Sequence, residues 1–294
     1  MDLAEENALR QQIFDALAPV VADRGTVTRD ELSAFHVAGV VRRLIDQSRG
    51  IWNPQTMAAT LSVVSSPDGP YADSEVEGGL FRYDYRTGST GGDNTKLRRA
   101  FELQLPIILL RKIGSSVYVP IFPVYVVGDD TTARQFTLAV DEQLRFLAEP
   151  GHDSLLERRY AERIARFRLH QAEFRGRVLR AYETRCTVCS LRHGRLLDAA
   201  HIIGDRESGG EPVVPNGLSL CKIHHAAFDA NLLGVSPDYA VSIDAALLAE
   251  TDGPMLRHGL QEMHGQLLWL PSRRADRPDR DRLAQRWVDF GQAG

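Results

Sequence analysis

"CTVC" (Cys186–Cys189) and "LCKIHHAAFD" (Leu220–Asp229) decide how the C-terminal half of this chain folds. The chain holds three cysteines, Cys186, Cys189 and Cys221, and all of them lie in these two stretches. A C-x-x-C step and a C-x-x-H step, with 31 residues between them, bring Cys186, Cys189, Cys221 and His224 forward as a ligand set for tetrahedral structural zinc. An odd number of cysteines at this spacing suits a metal site better than a disulfide framework. A small, loop-rich segment draws folding free energy from such a site. Adjacent side chains on a helix point about 100° apart, so His224 and His225 are expected to face different centres.

The rest of the chain is that of an ordinary water-exposed protein. Its 294 residues are enough for about two domains, with 43% hydrophobic and 25% charged residues. No apolar run approaches the roughly 18 residues that span a bilayer, so no membrane partner is expected. The opening "MDLAEENALRQQIFDAL" is acidic and amphipathic, without the basic and apolar regions of a signal peptide. A cytoplasmic location is the expectation. A net charge of −4 does not announce a nucleic-acid binder. Between Ser154 and Arg185, however, nine arginines stand against four glutamates, a local excess along which a phosphate backbone can lie.

Periodicity divides the chain. Residues 4–22 read as an amphipathic helix, and Thr28 with Glu31 three residues on reads as the cap of a second, short one. From about 57 to 128, β-branched and aromatic runs such as "PIILLRKI" and "SSVYVPIFPVYVVGDD" are divided by Gly, Pro, Ser and Asp, which predicts a curved sheet or barrel. "LAEPGHD" (147–153) reads as a linker, followed by a long helix over about 154–183. The expected domains are 1–148 and 153–294. No internal repeat is visible. His36, His152, His170, His193, His258 and His264 have no ligand-like company and read as structural or surface residues.

Between the knuckles, "LLDAAHIIGD" carries His201 and "VVPNGLSLC" carries Asn216, and His225 follows in "HHAAFD". This His–Asn–His order within a double zinc knuckle resembles the HNH nuclease family, and "QAEFRGRVLRAYETRC" is similar to that family's lead-in helix. The resemblance covers about 170–240. It implies a ββα-metal fold that hydrolyses phosphodiesters with one catalytic divalent cation, Mg²⁺ or Mn²⁺. His201 is the implied general base, of roughly suitable pKa near neutral pH. Asn216 would fix the loop that holds His201, through a side-chain bond orienting the imidazole. His225 would bind the cation. Many family members place an acid or histidine immediately before the base. Here that residue is Ala200, so Asp198 is the expected second ligand, with Asp229 the alternative.

Upstream, "GPYADSEVEGGLFRYDYRTGSTGGDNTKLRRAF" combines aromatics beside an acid, a Gly-rich loop and a basic run. Aromatic faces can sandwich an extruded base, and a carboxylate can accept from the amine of cytosine. Glycine-rich backbone and basic side chains approach phosphates closely. The stretch resembles the SRA (SET- and RING-associated) domain, a PUA-type curved β-barrel with flanking helices that flips modified cytosine out of the duplex. The resemblance covers roughly 35–130. It implies that Tyr71 and Tyr83 sandwich the base and that Asp73, or Ser74 in an alignment one residue over, reads its edge. Ser89, Thr90, Lys96, Arg98 and Arg99 are the candidate DNA-backbone contacts.

An SRA-like domain followed by HNH resembles the modification-dependent restriction endonucleases of the TagI type, which cleave DNA carrying 5-methylcytosine or 5-hydroxymethylcytosine. The expected fold class is thus α+β, with structural zinc and a catalytic cation as cofactors and double-stranded DNA with modified cytosine as partner. Two readings compete with it: an HNH endonuclease of another base or sequence specificity, and a DNA-binding module using the HNH fold only as a zinc scaffold. A homodimer is also expected. One HNH centre cuts one strand, and Leu155, Leu156, Ile164, Phe167, Phe174 and Val178 offer the long helix more apolar surface than one face needs.

Overall fold

The protein is described here by a computed structural model over residues 1–66, 74–75, 80–86, 91–148, 164–165 and 167–292. It divides into two compact units: residues 1–21 with 25–173, and residues 22–24 with 174–294.

In the first unit, helix α1 (Leu3–Arg24) opens on a reciprocal cap between Asp2 and Glu5 and closes on Gly25, whose φ of 71° suits a residue without a Cβ. Strand β1 (Val27–Thr28) leads into α2 (Arg29–Ser33), capped by Thr28 and Glu31. The hairpin β2 (Phe35–Val37) and β3 (Val40–Arg42) follows. The main sheet comprises β4 (Ile51–Trp52), β5 (Ser62–Ser65), β6 (Ser74–Glu75), β7 (Leu80–Asp84), then, after helix α3 (Asp93–Glu102), β8 (Ile107–Gly114), β9 (Val117–Asp130) and β10 (Gln135–Ala139). The strand order is β4-β5-β8-β9-β10-β7-β6, with β1 also on β9. Among the described strands, only β5 and β8 run parallel. β9 pairs with β8 along its first half, which carries Pro120 and Pro123, and with β10 along its second. Prolines and register shifts interrupt a ladder and bend the strand, which curls the sheet into a half-barrel.

Both faces of this sheet are covered. Along β8, Ile107 and Leu109 enter one core with Phe81, Phe136 and Leu97, while Ile108 and Leu110 enter another with Ile13, Phe14 and Leu17 of α1. Side chains alternate along a strand, so a strand buried on both faces reads as a continuous apolar run. That is the physical content of "PIILLRKI".

The two cores are joined by a buried ion pair that the sequence did not announce. Arg10 and Glu6 on α1 are fully buried, 2.6 Å apart. Arg10 donates to the carbonyls of Ala59, Thr60 and Pro106, and Glu6 accepts from the Ala58 amide. Removing one member of such a pair strands a buried charge at a cost of about 3–5 kcal/mol. Arg10→Ala should therefore lower the urea midpoint of the first unit far more than a surface arginine substitution such as Arg99→Ala.

Helix α4 (Ala172–Ala181) follows a π-helical turn over Phe167–Gln171 and runs from the first unit into the second. β11 (Leu197–His201) and β12 (Gly217–Cys221) form an antiparallel pair that runs into α5 (Lys222–Asp229). A second pair, β13 (Leu233–Val235) and β14 (Val241–Ile243), precedes α6 (Ala245–Ala249), α7 (Pro254–Gly259) and α8 (Arg280–Gln292).

Two expectations bear on this layout. The units divide at Glu173–Phe174, later than the "LAEPGHD" segment. The reason is packing. Ala165 and Leu169 are buried in the first core, Arg168 pairs with Asp141 at 2.7 Å and Glu173 with Arg111 at 2.6 Å, whereas Phe174, Val178 and Tyr182 are buried together in the second unit. The same facts remove the helix as a dimer surface through Ile164, Phe174 and Val178, which are covered by this chain's own cores. Leu155, Leu156 and the Phe167 side chain lie outside the described residues. The arginine-rich stretch is also partly spent internally: Arg175 donates to the carbonyls of Ala22, Gly194 and Leu197, and Arg185 lies 4.4 Å from the Trp269 ring centroid.

Candidate metal and nuclease centre

The ligand-type atoms of Cys186, Cys189, Cys221 and His224 all lie within 4.8 Å of one another. The Cys221 Sγ to His224 Nδ1 distance is 3.2 Å, Cys186 Sγ to the same nitrogen 3.5 Å, and Cys189 Sγ to Cys221 Sγ 4.0 Å. Such separations suit four atoms placed at about 2.0–2.3 Å around one tetrahedral ion. His224 donates Nε2–H to the Gly259 carbonyl at 2.7 Å, which leaves Nδ1 for a metal. Cys186 and Cys221 are buried and belong to the core with Leu197, Leu220 and Phe228. The cluster can hold a structural metal, and it ties the first knuckle to the start of α5.

His225 points elsewhere. Its Nδ1 lies 3.2 Å from Asp198 Oδ2 and its Nε2 lies 3.4 Å from Asp229 Oδ2. Lys222 Nζ contacts both Asp198 oxygens, at 2.6 and 2.7 Å. Burial would raise the Asp198 pKa, but Lys222 and His225 outweigh it and hold the carboxyl below its usual range.

His201 ends β11. Its ring stacks on Phe174 at 4.0 Å and 19°, and its Nε2 is buried with no hydrogen-bond partner among the described residues. Burial lowers its pKa. The charges of Asp205 and Asp229 oppose that shift, and His225 adds to it. The net effect favours the neutral imidazole, the form that can take a proton. Opposite His201 in the ladder sits Gly217, where a Cβ would fall 2.5 Å from Val178 and 3.0 Å from Phe174. A side chain there would push Phe174 off the histidine. Sequence reasoning passed over Gly217 and Lys222 and gave Phe174 only an apolar role on the long helix; the lead-in helix "QAEF" was the one available hint.

Asn216 is fully buried, donating to the carbonyls of Ile203 and Glu211 and accepting from the Ile203 amide. It thus closes the loop after His201 through backbone groups. The expected side-chain bond to the imidazole is absent, because both ends of the amide are engaged by that loop.

The candidate base-reading residues are divided. Tyr71, Asp73, Ser89 and Thr90 lie outside the described residues. Tyr83 is not a free stacking face: it is 6% exposed within the first core, and its hydroxyl lies 3.3 Å from the Gly50 and Val64 carbonyls. Along β7, alternation turns Phe81 and Tyr83 inward and Arg82 outward. Lys96 donates to the Pro54 and Met57 carbonyls, and Arg98 binds Asp129 and the Tyr85 hydroxyl, so both are structural clamps rather than open phosphate contacts. Arg99 is half-exposed, 3.8 Å from Glu102.

β11, β12, α5, the Cys/His cluster and His201 all fall within one HNH endonuclease domain, a metal-dependent DNA nuclease module. Residues 186–236 match the family described as HNH endonuclease. Among solved structures, the chain is similar to a modification-dependent TagI restriction endonuclease, at 18% identity over 89% of this chain and 90% of that one, with a TM-score of 0.32. It is also similar to the SRA domain of SUVH5 bound to hemi-methylated CG DNA, at 19% identity over 38% and 81%, TM-score 0.28. A third likeness is to the type IV phosphorothioation-dependent restriction endonuclease ScoMcrA, at 17% identity over 59% and 48%, TM-score 0.23. No curated protein matches. Among the described residues, no helix is long and apolar enough to cross a membrane.

Proposed function

We propose that this chain is a modification-dependent, type IV-like restriction endonuclease: its first unit reads 5-methylcytosine or 5-hydroxymethylcytosine by base flipping, and its HNH domain cuts the DNA. The observation that carries the nuclease reading is His201, held flat by Phe174 and with its Nε2 unpartnered among the described residues. It accepts the proton of the attacking water. Asn216 keeps the following loop closed around it. The donor set of His225 with a neighbouring carboxylate fits a hard divalent cation that keeps some water ligands. When bound, Mg²⁺ or Mn²⁺ there would offset charge on the phosphate and the leaving oxygen. The four-residue cluster holds zinc.

The reader half rests on the resemblance of "GPYADSEVEGG" and "TGSTGGD" to the SRA pocket, with Tyr71 stacking and Asp73 reading the base edge. Asp73→Ala should weaken discrimination by about 1–3 kcal/mol per lost base contact, measured as the ratio of cleavage on modified and plain DNA. Transfer of that loss to Ser74→Ala would move the alignment by one residue.

Digestion of one plasmid prepared with C, 5mC or 5hmC, with Mg²⁺ or Mn²⁺, tests the whole. Cleavage of the modified forms alone is expected. Equal cutting of plain DNA would leave an HNH endonuclease of another specificity, and no cutting of any form would leave a zinc-built DNA-binding module. A double-strand break needs two centres or two sequential visits by one, and we propose the first, a homodimer on DNA. Light scattering showing a strict monomer that only nicks would refute it.

A further inference from the structure

Lys222 follows the zinc-type ligand Cys221 and opens α5, the helix that carries both histidines, and it is 57% exposed, yet its ammonium is held on one carboxylate. Both oxygens of Asp198 accept from it, and one of them also faces His225 Nδ1. An imidazole whose Nδ1–H donates to a carboxylate keeps its Nε2 lone pair free. That Nε2 lies 3.4 Å from Asp229 Oδ2, one helical turn along α5. Among the described residues, the Cys/His cluster is the only convergent set of three or more metal-type side chains. Asp198, His225 and Asp229 therefore do not close on one point. The two carboxylates flank the ring on opposite nitrogens.

Resting on the nuclease reading above, we propose that Lys222 and Asp198 are positioning residues that set the His225 ring. Nε2 and the carboxylate of Asp229 are then the pair offered to the divalent cation. Neighbouring donors on an octahedral ion with bonds of about 2.0–2.1 Å sit about 2.9 Å apart, so a small rotation of the exposed Asp229 carboxylate from its 3.4 Å separation brings the pair to that spacing. Asp229 is 65% exposed, which leaves the remaining positions to water and phosphate oxygens. Asp198 serves as the partner that fixes tautomer and ring angle, the role carboxylates take behind metal-binding histidines. Lys222 keeps that carboxylate in place and charged.

The test uses the zinc-loaded full chain without DNA. Mn²⁺ binding is followed by electron paramagnetic resonance, and the His225 tautomer by ¹⁵N imidazole shifts in the Mn²⁺-free protein. Lys222→Met and Asp198→Asn should each weaken Mn²⁺ binding roughly 10–100-fold and mix the tautomers, with Lys222→Arg restoring most of both. Asp229→Asn should weaken Mn²⁺ binding at least as much while leaving the tautomer unchanged. Loss of binding in Asp198→Asn with full binding in Asp229→Asn would overturn the assignment, making Asp198 the ligand. Unchanged affinity and tautomer in Lys222→Met would overturn it as well. Full Mn²⁺ affinity in His225→Ala would overturn the cation site itself, and with it the nuclease-centre reading.

Discussion

The Cys186→Ser variant is expected to lose both its tightly held zinc and the cooperative folding of residues 174–294. Three observations set the size of this effect. The cluster joins residues 38 positions apart. Cys186 and Cys221 lie inside the core with Leu197, Leu218 and Phe228, so an empty cluster would leave thiols and an imidazole crowded in apolar surroundings. Structural zinc in small domains contributes on the order of 10–16 kcal/mol at pH 7, comparable to or above the roughly 5–15 kcal/mol of a whole domain. Elemental analysis of the wild type should find about one zinc per chain, and a chelator should abolish the near-ultraviolet circular dichroism of the nuclease unit. A fold that persists without zinc would refute the structural role.

His201→Ala is expected to cut the cleavage rate by roughly 10²–10⁴-fold, the contribution of a positioned base, while zinc content and DNA binding stay at wild-type levels. The histidine touches Phe174 and ends β11 but makes no hydrogen bond through Nε2, so its removal costs little structure. Burial holds its pKa below the ordinary histidine value of about 6.5. The base form therefore persists at neutral pH, and the acidic limb of the wild-type rate profile should lie below that value, falling only as pH drops through the lowered pKa. Wild-type turnover in His201→Ala would remove the assignment. An acidic limb above 6.5 would contradict the neutral imidazole.

Much of this architecture was legible in the residues. The capping pair at Thr28 and Glu31 is a local signal, and α2 starts there. The two C-x-x steps were sufficient to collect four ligands, because a turn and the first turn of a helix each bring such neighbours to one side. Where reasoning failed, non-local packing was responsible. Tyr83 carries the right ring for stacking on a base, but β7 turns it into the core. Lys96 and Arg98 carry the right charge for phosphate, but nearby carbonyls and Asp129 take it up.

Spacing along the chain determined the metal cluster, the ββα order and the separation of His224 from His225, since each follows from helix and turn geometry over a few residues. The tertiary structure alone decided that the units part inside a helix, that Arg10 and Glu6 tie α1 to residues 58–60, and that Phe174 lies flat on His201. It also decided which carboxylate meets which nitrogen of His225. These depend on side chains brought together from distant positions, where a ring's orientation is set by its neighbours' shapes and charges rather than by its place in the sequence.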